Sequence, residues 1–162
     1  MAPSTSHRSD PLPFLYTLFF LYIEPVATAS GAYMAHLQQS EYLALTWPSL
    51  RATTFGGVTA PESIVLTQLA NMYAAFALSE ALVLRSTTDR RVWKTFLLVL
   101  LIADFGHLYS VRLSGLEIYY RFWEWNVMDY GNILFVYVGA LHRILFLLGV
   151  GLDQKRPAKT KK

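Results

Sequence analysis

The sequence predicts an all-α polytopic membrane protein, a four-transmembrane-helix bundle with both termini cytosolic. Three observations lead there. Hydrophobic residues fill 54% of the 162 positions, above the roughly 45–50% usual in soluble domains, and mean hydropathy is +0.32. Apolar runs approach spanning length in four places, where roughly 20 residues are needed. Lysine and arginine are also sorted between alternate loops, as the positive-inside rule requires.

Residues 1–13 are polar and Pro-rich and form a tail. The first span is expected over residues 14–36. It opens on a solid apolar run, and Glu24-Pro25 then interrupts it. Proline has no N–H to give, so the helix should kink near Leu21, with Glu24 beside the loosened backbone. The apolar run followed by Ala27-Thr28-Ala29 has the form of a leader with a cleavage site. Apolar character continues through Met34 and three more spans follow, so a retained helix is expected.

Residues 37–61 make a loop broken at Trp47-Pro48 and Gly56-Gly57, with an interfacial stretch around Tyr42 and Trp47. Pro61-Glu62-Ser63 then signals a helix start, and the second span runs over 62–84. Residues 85–94 form a short basic loop, and the third span covers 95–111. Residues 112–127 form an aromatic loop, the fourth span covers 128–150, and residues 151–162 are a basic tail. Of the 14 Lys and Arg residues, one side collects Arg8, Arg85, Arg90, Arg91, Lys94, Lys155, Arg156, Lys159, Lys161 and Lys162. The other has only Arg51, Arg112 and Arg121, and Arg143 lies inside the fourth span. The lysine-ended tail is similar to dilysine retrieval signals, with Thr160 where a lysine is wanted, and places the chain in the endoplasmic reticulum.

Several function classes drop out. The basic residues form no face that could track nucleic acid, and the absence of cysteine removes disulfides, Cys-ligated zinc and thiol nucleophiles. There is no G-x-S-x-G, P-loop, dinucleotide fingerprint or H-x-x-x-H spacing. No metal and no cofactor are expected.

What remains is a set of polar residues inside the spans, where ionisable groups are expensive to keep. Asp104 and His107, three apart on one helix face, are candidate catalytic residues, as is Glu24. Asn71, in the outer half of the second span, and Asp129 and Asn132, at the outer end of the fourth, are candidate substrate ligands. Asp129 and Asn132, with Asn126, equally suit a helix cap. Trp123 and Trp125, with Tyr73, Tyr119, Tyr120 and Tyr130, are candidate walls of one cavity opening outward. Glu80 and Arg143 lie deeper, at similar depth, and are expected as a structural ion pair.

Four segments carry a resemblance: LYIEP at 21–25, QLANMY at 68–73, the stretch 86–111 with I-A-D-x-G-H, and 125–150 with W-N-x-M-x-x-G-N. They resemble a fungal family of small four-span integral membrane proteins of unassigned function. The resemblance implies four helices and an uncleaved N-terminal span. The architecture is similar, more loosely, to sterol isomerases of the emopamil-binding-protein type and to small membrane-bound terpene cyclases of meroterpenoid pathways. No residue is carried over from either.

The expected function is enzymatic: a terpene cyclase or isomerase acting by protonation on a prenylated or sterol-like lipid in the bilayer. A carboxyl group in an apolar cavity can hold a proton and act as an acid, and aromatic faces stabilise the resulting cation. Asp104 or Glu24 would be the acid, and His107 would orient it or act as base. The alternative is a non-catalytic lipid- or sterol-binding protein, or a scaffold of the endoplasmic reticulum, with the polar residues serving as helix glue.

Overall fold

The computed structural model describes residues 12–47 and 57–152. The tails outside these residues, with most of the basic residues that orient the chain, and the breakers Pro48 and Gly56 lie outside the described residues. Four long helices are present: α1 (Phe14–Leu37), α3 (Ala60–Ser86), α4 (Arg90–Ser110) and α5 (Val127–Leu147). A short helix, α2 (Gln39–Thr46), follows α1. Residues 111–124 wind through three 3-10 turns, so the predicted aromatic loop is largely ordered into tight turns.

Local chemistry explains the helix ends. Thr59 and Glu62 form a capping box, with the Thr59 N–H donating to the Glu62 carboxylate at 2.8 Å. Asp89 caps α4 by accepting from the Arg91 N–H at 2.7 Å. This cap starts α4 earlier than expected and takes Arg90, Arg91 and Lys94 out of the predicted loop. Gly149, at φ 82°, ends α5. Its N–H returns to the Phe146 carbonyl and the Val150 N–H to Leu145, a Schellman closure that stops the helix short of residue 150. Leu152, in the stretch read as tail, packs back into the core.

The predicted disturbance at Pro25 takes the form of a π-helical turn at Phe19–Ile23, a common way to absorb an irregularity in a helix. Pro25 cannot donate to the Leu21 carbonyl one turn back. The Arg85 guanidinium does so instead, at 2.7 Å, and its charge also lies over the Tyr22 ring. Arg85→Met is therefore expected to lower stability by about 1 kcal/mol. The loss should shrink in a Pro25→Ala background, where a backbone N–H is restored. A double-mutant cycle on thermal unfolding in detergent checks this, and equal losses in both backgrounds would refute the link.

The long helices alternate in direction. α1 packs along α3, and α4 along α5. At one end Tyr16, Phe20, Leu84, Trp93, Leu97 and Phe146 form a dense apolar core, with Trp93 stacked on Phe146. At the other end Ala35, Tyr42, Leu66 and Ala70 form a smaller one. The outer faces are apolar too: Val26, Ile64, Leu82, Ile102, Phe105 and Leu141 are all exposed. In water such a coat would be a liability; in lipid it is the solvent-facing surface. Three helices, Phe14–Leu37, Arg90–Ser114 and Val127–Leu147, are long and apolar enough to cross a membrane. The chain is accordingly a multi-pass integral membrane protein with a bilayer around it.

Candidate functional site

Each long helix contributes one charged side chain to a single cluster in the middle of the bundle. Arg143 of α5 is the centre. Its Nη1 donates to Asp104 Oδ2 of α4 at 2.7 Å, and its Nη2 donates to Glu24 Oε1 of α1. Glu80 of α3 stands further off, with Oε1 at 3.8 Å from Nη2. Glu24, Glu80 and Arg143 are buried at 6%, 2% and 3% exposure, so these charges cannot be settled by water. Three acids face one guanidinium. Ionising all three would leave two net negative charges on the cluster, away from water.

The cluster depends on a glycine. Gly139 lies one turn before Arg143, and the guanidinium folds back over it. A Cβ at Gly139 would fall 2.7 Å from Arg143 Nη1 and 3.4 Å from Glu24 Oε1. The Phe20 ring lies beneath the guanidinium, its centroid 5.9 Å away, and closes the site against the apolar core.

On its other side the cluster faces a cavity of about 590 Å³, within the range of roughly 300–1,000 Å³ for small-molecule sites. Glu24, Glu80, Asp104 and Arg143 form its inner end. Apolar side chains line the rest, among them Ala27, Phe76, Leu100 and Phe135, with Tyr42 and Met128 toward the smaller core. Glu24 Oε2, Glu80 Oε1 and Arg143 Nε are buried without a hydrogen-bond partner. Buried polar atoms are rarely left so, and two of the three are acceptors at the cavity's end.

His107 lines the same cavity but does not orient Asp104. Its Nε2 lies 3.1 Å from the Asn132 carbonyl, which belongs to a second π-helical turn, Tyr130–Leu134. A carbonyl oxygen can only accept, so Nε2 carries the hydrogen. In neutral imidazole Nδ1 is then the basic nitrogen. Toward the smaller core the Tyr42 and Tyr73 hydroxyls meet at 3.4 Å. Burial, and then the neighbouring Tyr73, push the Tyr42 hydroxyl well above the usual tyrosine range, so it stays a hydrogen-bond donor.

Of the expected ligands, Asn132 lines the cavity, and the others are placed elsewhere. Asn71 is exposed and lines no part of the cavity. Asp129 forms a capping box with Asn126, accepting the Asn126 N–H at 2.9 Å, so of its two expected roles it takes the cap. Trp123 is exposed on the turn segment, and Trp125 donates to the Ile118 carbonyl; neither lines the cavity. The aromatic walls are Tyr73 and Tyr130, with Phe76 and Phe135, which the sequence did not single out. Glu80 and Arg143 are not a separate pair but half of the central cluster. Gly139 carried no sequence signal beyond its place four residues before an intramembrane arginine. Among the described residues no group of three His, Asp or Glu side chains is arranged to hold a metal.

Asn126 also ties two elements together. Its side chain accepts from the Met128 and Asp129 N–H groups, at 2.7 and 3.1 Å, and donates to the Leu45 carbonyl of α2 at 2.9 Å. Asn126→Ala is expected to cost about 1–2 kcal/mol through the lost cap and to release α2. Faster amide exchange in residues 39–46 of the variant checks the second effect, and unchanged exchange would refute it.

No curated protein and no solved structure matches the chain. A family model matches residues 9–153, and the chain belongs to that family, a domain of unknown function (DUF7704).

Proposed function

We propose that this protein is a membrane-embedded enzyme that isomerises or cyclises a prenylated or sterol-like lipid by protonation. The observation that carries the reading is the acid cluster lining an apolar cavity between the helices. A carboxylic acid there protonates an alkene carbon, or an epoxide oxygen whose C–O bond then opens, and the aromatic faces of Tyr73, Phe76 and Phe135 stabilise the resulting cation. His107 Nδ1 then takes a proton from a neighbouring carbon. Protonation followed by deprotonation leaves an isomer of equal mass and consumes no cofactor.

In this reading α3 is a fourth span. Its 27 residues reach about 40 Å, and its outer face carries Ile64, Val65, Leu78 and Leu82. Its lower apolarity follows from Thr67, Gln68, Asn71 and Glu80. With four spans, the distribution of Lys and Arg sets both termini in the cytosol, and the basic tail favours the endoplasmic reticulum.

The test is expression in a yeast host supplied with farnesylated and epoxidised aromatic substrates and with sterol precursors, followed by mass spectrometry of lipid extracts. A new isomeric product is expected. It should fall at least about tenfold in Asp104→Asn at matched protein level. No product across the panel, with the protein abundant and in place, would overturn the enzyme reading in favour of a lipid-binding or scaffold role.

A further inference from the structure

The three acids around Arg143 are not equivalent. Arg143 donates through Nη1 to Asp104 and through Nη2 to Glu24. Glu80 is left at 3.8 Å, and its Oε1 has no hydrogen-bond partner. It is also the most enclosed of the three: 2% exposed, against 6% for Glu24 and a half-buried Asp104. A carboxyl group so enclosed, with no donor at hydrogen-bonding distance from its Oε1, is costly to keep charged and cheaper to keep protonated.

The other ionisable groups around Glu80 do not change this. The ionisable groups sharing its cluster are Glu24 from α1, Asp104 from α4 and Arg143 from α5. His107 lies about one helical turn outward from Asp104 on α4, with its N–H committed to Asn132. No second cation is among the cavity's lining residues.

We propose that the acids divide by role: Glu24 and Asp104 are the counter-ions that hold Arg143, and Glu80 is the proton-bearing acid that donates to the substrate. The proposal rests on the protonation reading and names its acid. In the step, the Glu80 O–H bond breaks and its proton forms a C–H bond at one alkene carbon, using the π electron pair. The other carbon becomes cationic, facing a cluster that has gained one negative charge. Loss of a C–H proton to His107 Nδ1 returns that bond's electron pair to a new C=C. Proton transfer from His107 back to Glu80 resets the site. Arg143 is a positioning residue, since it touches the acids and not the reacting carbons.

Infrared spectroscopy of the purified full-length protein in lipid nanodiscs tests this without any substrate. A carboxylic-acid C=O band, sensitive to deuterium exchange, is expected. It should move on labelling with ¹³C-glutamate and stay on labelling with ¹³C-aspartate. It should vanish in Glu80→Gln and persist in Asp104→Asn. A band that follows the aspartate label, or that survives Glu80→Gln, would overturn the assignment, and the labelling arm needs no variant to fold. Where the wild type makes product, Glu80→Gln at matched level should lower turnover about 10²–10⁴-fold, with Glu80→Asp restoring part of it. Turnover within threefold of wild type in Glu80→Gln would sink the role of Glu80 while leaving the enzyme reading intact. A wild type without product would sink that reading while the infrared result still decided which acid holds the proton.

Discussion

Arg143→Met is expected to be the most damaging single change in the chain. It would strand three acids at the centre of the bundle, two of them almost fully buried. Removing one partner from a buried ion pair costs roughly 3–5 kcal/mol, because the remaining charge has neither water nor a counter-ion. Here Glu24 and Asp104 both lose a direct hydrogen bond from the guanidinium. The expected readout is a protein that fails to accumulate, or that unfolds at a much lower temperature in detergent. A combined variant separates charge from shape. Arg143→Met together with Glu24→Gln, Glu80→Gln and Asp104→Asn removes every charge at once and should recover much of the lost stability. If the combined variant is no more stable than Arg143→Met alone, stranded charge is not the cause.

Gly139→Ala is the second large effect. In an ordinary helix this substitution stabilises by roughly 0.5–1 kcal/mol. Here the new methyl would sit 2.7 Å from Arg143 Nη1, closer than real Cβ atoms approach. The guanidinium is the flexible end of a long side chain, but it is held at both terminal nitrogens. To make room it must give up Asp104 or shift against Glu24. A net loss of about 1–3 kcal/mol is expected, as for overpacking in a filled core. Gly106 supplies the control, since a Cβ there meets nothing within 4 Å. Gly106→Ala should be neutral or stabilising in the same unfolding assay. Equal responses at the two positions would show that Gly139 is not a seat for the guanidinium. Gly139→Ala should also deprive the proposed enzyme of most of its turnover, because the acids lose the cation that positions them.

Much of the fold was legible in advance, since it follows from local rules. Pro61 and Glu62 marked the start of α3, and the structure adds Thr59 as its cap. Pro25 announced a disturbance in α1, although the π turn and the reach of Arg85 to the Leu21 carbonyl depend on a neighbouring helix. The early start of α4 was missed because the basic run at 90–94 looked like a loop; a single aspartate, Asp89, converts it into a first helical turn. Asp129 was ambiguous for a related reason: one carboxylate at a helix start suits a cap and a ligand equally, and only its partner decides.

Four long helices, their apolar outer faces and the acids and base within them follow from the order of residues alone. These are properties of short stretches, set by composition, spacing and capping chemistry. Which charged groups meet is set by how the helices pack. Counted along the chain, Glu80 and Arg143 sit deeper than Glu24 and Asp104, and depth alone assigns them to another layer. But helical side chains lean toward their own N-terminus. α3 and α5 both begin at the end of the bundle where the Tyr42 core lies, so the long Glu80 and Arg143 side chains lean back toward the middle. There they meet Glu24 and Asp104, which arrive from helices running the other way. The meeting also needs Gly139 bare of a side chain, a condition that acquires meaning only once the guanidinium folds across it.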